Sequence, residues 1–131
     1  MTGFLRNDEL ESVIRQAKAV IIPSELYENY PYSCLEAMAY GKPVIGSRIG
    51  GIIEQVDEGE TGFLFEPSND KDLADKMILL NSLTSQRIME MGRKARSKVE
   101  KMNHPADYLQ RLLDLYHDVI IENSNSLSNL D

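Results

Sequence analysis

The stretch AVIIPSELYENYPYSCLEAMAYGKPVIGS, from Ala19 to Ser47, decides the fold. Ala19–Pro23 is a short apolar run closed by proline, the pattern of a strand covered on both faces in a parallel sheet. A polar loop, Ser24–Tyr32, follows. Ser33 opens a helix that Gly41 ends and Pro43 keeps from continuing, and Pro43–Ser47 reads as the next strand. The unit places one carboxylate, Glu28, on the loop and a second, Glu36, inside the helix. Open α/β sheets build ligand sites in this position, at the carboxyl ends of their strands.

Outward from this unit the pattern repeats. Upstream, Asn7 is placed to cap a helix whose Leu10, Val13, Ile14 and Ala17 share a face. Downstream, Gly50-Gly51 turns the chain into a helix over Ile52–Asp57. Glu58–Gly62 turns it again into a strand, Gly62–Phe65, closed by Pro67. Helices are expected over Lys71–Asn81, presenting Leu73, Met77, Ile78 and Leu80, and over Ser85–Met102, with Ile88, Met91, Ala95 and Val99 on one stripe. The methionines fall on such stripes and read as core. His104-Pro105 breaks the chain before a last helix built on Leu109, Leu112, Leu113, Tyr116, Val119 and Ile120. The Asn- and Ser-rich tail, 123–131, is expected to fray, leaving one domain over 1–122.

Alternating strands and helices imply right-handed crossovers and a parallel sheet. The fold class is therefore α/β, a partial Rossmann-like three-layer αβα domain. Three strands and a stub at Thr2–Leu5 fall short of the five or six strands of a common sheet. The sheet is expected to lack strands on its N-terminal side, with an open edge suited to a partner chain or to a homodimer.

Composition bounds the function. The chain has 131 residues, 42% hydrophobic and 27% charged, within the range of one folded domain. A net charge of −7 argues against nucleic acid, whose binding draws on Lys and Arg against phosphates. It leaves room for a small anion held by backbone amides at a helix start. A single cysteine, Cys34, cannot pair internally and fits a reducing cytoplasm. No apolar run reaches the ~20 residues of a membrane helix. His104 and His117 have no metal-site spacing, so no metal is expected.

Five motifs in order carry a family resemblance: Pro23-Ser24; Glu28 and Glu36 with seven residues between them; Ala37-Met38-Ala39-Tyr40-Gly41-Lys42-Pro43-Val44; Gly50-Gly51-Ile52-Ile53-Glu54; and Thr61-Gly62-Phe63-Leu64. Over Thr2 to Val119 the sequence resembles the C-terminal, donor-nucleotide-binding domain of the retaining group 1 glycosyltransferases of GT-B architecture. The resemblance implies a nucleoside diphosphate sugar as donor, transfer with retention to a hydroxyl acceptor, and no cofactor or metal. It gives Glu36 the ribose hydroxyls, a vicinal diol matched to two carboxylate oxygens. Glu28 goes to the donor sugar as the catalytic carboxylate. The backbone around Asn29, Tyr30, Tyr32 and Ser33 goes to the diphosphate. Gly3, Phe4 and Leu5 are expected in the base pocket. Many relatives have Gly-Phe-Gly where Asn29-Tyr30-Pro31 stands here, and Pro31 lacks one amide donor.

The family's domain opens with two earlier strands that carry a basic residue for the departing diphosphate, and an N-terminal domain binds the acceptor. Neither is expected within these residues, so the chain is read as a fragment inactive in isolation. The family also implies polysaccharide or glycolipid biosynthesis in the cytoplasm or peripherally at the inner membrane face. Alternatives are a non-catalytic nucleotide-sugar-binding or interaction module, one half of a split glycosyltransferase, and a sugar-nucleotide epimerase of the same architecture.

Plainer roles compete for single residues. Ser33-x-x-Glu36 is also a capping-box pattern, which would make Glu36 a helix cap. Gly50-Gly51 serves either a tight turn or ligand contact. Arg48 reads first as a surface cation and second as a phosphate contact. Arg93, Lys94, Arg96, Lys98 and Lys101, diluted by Glu90 and Glu100, read as the wet face of a helix.

Overall fold

The computed structural model describes residues 5–102, 109–110, 112–117 and 119–120. Its elements are α1 (Asn7–Gln16), β1 (Val20–Ile22), α2 (Tyr32–Ala39), β2 (Val44–Ser47), α3 (Ile52–Gln55), β3 (Gly62–Phe65), α4 (Asp70–Ser82) and α5 (Ser85–Met102). Residues 109–110, 112–117 and 119–120 are helical. Contacts divide the chain into two units, 1–99 and 100–131. The expected stub, Gly3, Phe4, the His104-Pro105 break and the tail lie outside the described residues, apart from Leu5, which precedes α1 and is half-buried.

The sheet is parallel, in the order β1-β2-β3. Val20 pairs with Val44 and Ile22 with Gly46, while Val44 pairs with Gly62 and Ser47 with Phe65. Alternation along β2 and β3 splits the core between the two faces of the sheet. Val44 and Leu64 pack with Cys34, Ala37 and Met38 of α2, Ile52 of α3, Val56 and Ala95 of α5. Ile45, Phe63 and Phe65 pack with Leu80 of α4 and Met91 of α5. Helices therefore cover both faces, giving the α/β, Rossmann-like layering expected from the sequence.

Several expectations are corrected. Val20–Ile22 is not covered on both faces: only Ile22 is buried and Ile21 is exposed, because β1 is an edge strand of the described sheet. Arg6, not Asn7, precedes α1, and the Glu9 carboxylate accepts its N–H at 3.0 Å. Helix α2 starts at Tyr32 rather than Ser33, because Pro31, with φ −65°, supplies its extended cap. On α4, Leu80 is buried, but Met77 and Ile78 remain 45% and 67% exposed. Met38 and Met91 are core, whereas Met89 is 63% exposed, so helical periodicity alone overcounted the core methionines. Of the expected stripe, Leu109, Leu113, Tyr116, Val119 and Ile120 are exposed and Leu112 is half-buried.

Candidate functional site

The loop between β1 and α2 leaves the carboxyl end of the edge strand and is held from below by β2. Ser47, fully buried at the end of β2, donates its hydroxyl to the carbonyl oxygen of Ser24 at 2.6 Å. The Ser24 hydroxyl lies 3.1 Å from the Leu26 carbonyl oxygen and 3.5 Å from Glu28 Oε1. Glu25 through Asn29 are all exposed, so side-chain burial does little to fix the loop. Backbone contact does more: Gly51 donates its N–H to the Glu28 carbonyl oxygen at 2.8 Å.

Proline then sets the helix. Pro31 is buried, and its carbonyl oxygen accepts from the amides of Cys34 at 3.2 Å and Leu35 at 3.5 Å. The amides of Asn29, Tyr30, Tyr32 and Ser33 have no acceptor among the described residues. Unpaired first-turn amides and the positive end of the helix dipole favour an anion at this point. Tyr30 is half-buried, while Tyr32 and Ser33 are exposed.

Glu36 stands in the second turn of α2, exposed to solvent. No side-chain hydrogen bond caps α2, and Ser33 lies inside the helix, so the Ser33-x-x-Glu36 box does not form. That removes the plainer of the two roles open to Glu36. On the opposite, buried side of α2, burial pushes the Cys34 thiol up to about 12, with the Lys98 charge pulling weakly the other way. Cys34 is therefore an inert core thiol rather than a nucleophile.

Arg48 is a surface cation: its Nε lies 3.0 Å from Glu66 and its Nη2 3.9 Å from Glu58. Two basic side chains of the expected wet face of α5 are likewise engaged, Lys94 with Glu60 and Glu90 and Lys98 with Asp57 at 2.8 Å. Among the described residues no group of three His, Cys, Asp or Glu side chains is arranged to hold a metal ion. No described helix is long and apolar enough to cross a membrane.

No motif in the sequence marks Ser47. A serine closing an apolar strand was its only signal. Gly50-Gly51 was singled out, but its packing against the glutamate loop was invisible in the chain order.

The model of the glycosyl transferases group 1 family matches residues 1–98. The chain is 38% identical over 104 residues to sulfoquinovosyl transferase SQD2 of Arabidopsis thaliana, covering 76% of this chain and 20% of that protein. It is 31% identical over 121 residues to N-acetyl-alpha-D-glucosaminyl L-malate synthase of Bacillus anthracis, covering 92% of this chain and 31% of that enzyme. The structure of Anabaena Alr3699/HepE in complex with UDP-glucose superposes with a TM-score of 0.69 at 23% identity, over 87% of this chain and 31% of that one, a likeness of fold. The chain thus spans a fifth to a third of these proteins. With both faces of its short parallel sheet covered by helices and its five motifs in order, the chain belongs to the group 1 glycosyltransferases, of GT-B architecture.

Proposed function

We propose that this chain supplies the donor-sugar half of a retaining glycosyl transfer from a nucleoside diphosphate sugar to a hydroxyl acceptor. One observation carries the reading. A loop with an exposed carboxylate, Glu28, runs into a helix start whose Tyr32 and Ser33 amides have no acceptor among the described residues. Those amides and the helix dipole suit the diphosphate. Glu36, not engaged as a cap, takes the ribose diol. Glu28 takes the sugar hydroxyls and the positive charge that develops near the anomeric carbon. The UDP-glucose bound by the HepE protein supports a UDP-sugar as the first donor to try.

Departure of a diphosphate also needs full positive charge, and acceptor attack needs positioning. Both fall to other parts of the enzyme, so these residues alone bind donor without turnover. Calorimetric titration with UDP and UDP-glucose tests the assignment. Glu36→Ala should weaken both ligands by about tenfold or more, the worth of hydrogen bonds to a charged group, with the fold kept. Glu28→Gln should weaken UDP-glucose alone. A Glu36→Ala chain that binds UDP as well as the wild type overturns the ribose role.

A further inference from the structure

We infer that Gly50, Gly51 and Ser47 are positioning residues that set where the Glu28 carboxylate stands. This rests on the reading of Glu28 as a sugar contact. Two turns of chain, distant in sequence, touch here through backbone alone. A Cβ at Gly50 would stand 2.4 Å from the carbonyl oxygen and 3.1 Å from the nitrogen of Glu28. At Gly51 it would stand 1.8 Å from the Asn29 carbonyl oxygen and 3.2 Å from the Tyr30 nitrogen. The opposing atoms are backbone, so no flexible side chain can yield. Gly50 also has φ +54°, in the left-handed region.

Other glycines separate the two demands. Gly59 has φ +74° with nothing within 4 Å, so it answers a backbone conformation alone. Gly50 answers both conformation and space, and Gly51 answers space. The space is filled by the segment that presents Glu28, whose carboxylate is exposed with the Ser24 hydroxyl 3.5 Å from its Oε1. The Gly51 N–H on the Glu28 carbonyl oxygen fixes one end of that segment, and the Ser47 hydroxyl on the Ser24 carbonyl oxygen fixes the other. A methyl group at residue 51 forces the loop away by roughly 1 Å or more, a displacement that costs heavily where a reacting sugar must be placed.

The test uses the whole labelled chain. In Gly51→Ala and in Ser47→Ala, the amide resonances of Glu28, Asn29 and Tyr30 and the Glu28 carboxylate carbon should move, while the amides of Ile45, Phe63 and Ala95 stay. Affinity for UDP-glucose should fall about tenfold. In a Glu28→Gln background the same substitutions should cost no further UDP-glucose affinity beyond what they cost for UDP. Gly59→Ala should leave binding unchanged. Ser47→Ala, which only removes a hydroxyl, carries the test if Gly51→Ala fails to fold. Unmoved Glu28 resonances, or equal losses with and without Glu28, overturn the inference. A wild-type chain that binds neither UDP nor UDP-glucose sinks the donor reading instead, and the resonances then decide the positioning role.

Discussion

Gly92 of α5 lies against the carbonyl oxygen of Gly41, so that a Cβ at residue 92 would stand 2.0 Å from it. The helix that carries core residues to both faces of the sheet thus seats itself on the chain just past α2. Gly62 does the same in the sheet, where a Cβ would stand 1.9 Å from the Val44 carbonyl oxygen.

Gly92→Ala and Gly62→Ala should therefore each destabilise by about 1–3 kcal/mol, the usual cost of overpacking. Gly59→Ala, with open space but φ +74°, should cost about 1 kcal/mol through backbone conformation. Urea midpoints for the three variants check the order. A Gly92→Ala protein as stable as the wild type would remove the close seat of α5.

Gln55 should be replaceable at a gain. It is 1% exposed on α3, and neither its Nε2 nor its Oε1 has a hydrogen-bond partner among the described residues. Burying an unpaired amide costs about 1–3 kcal/mol, and methionine has nearly the same shape. Gln55→Met should raise the unfolding free energy by about 1–3 kcal/mol, read as a higher urea midpoint with an unchanged slope. A drop would mean that the amide is satisfied in solution.

Acid should loosen the α5 edge. Hydrogen bonding to Lys94 holds the Glu60 carboxyl below its ordinary value, and hydrogen bonds from Lys94 and then Arg87 do the same for Glu90. Both carboxyls bind fewer protons folded than unfolded, so their contribution is present above the ordinary value of 4.5 and fades as pH falls through the lowered folded values. Lys94→Met should flatten the fall in stability between about pH 5 and pH 3. These groups are exposed, so 1 M salt should shrink the difference. An identical pH profile in the variant would discount the network.

Cys34 offers a reporter of global unfolding. With 0% exposure and a thiol pushed up to about 12, it should resist a thiol reagent at pH 8 in native buffer and react fully in denaturant. Native reactivity on the reagent's own timescale would show that α2 opens locally.

The unit Ala19–Ser47 made most of the fold legible. Parallel strands need apolar runs and crossover helices, and both are local in the sequence; β3 and α5 were read with the boundaries they have. What failed was coverage. Met77, Ile78 and Met89 have core-like spacing but face solvent, because periodicity reports a stripe and not what lies opposite it. The glutamates were legible as motif residues. Their support was not: the contacts from Ser47 and Gly51 to the loop bridge chain separations of twenty residues and more, which no local pattern encodes. Pro31 shifted the start of α2 by one residue, and that small shift decided whether Ser33 could cap.

The hydroxyl of Ser47 and the amide of Gly51 make the glutamate loop a composite part. Anyone moving this loop to another scaffold must transplant two separate stretches together, Ser24–Tyr32 and Ser47–Gly51. A designer who copies only the conspicuous glutamate segment will carry the lettering of the site without its frame.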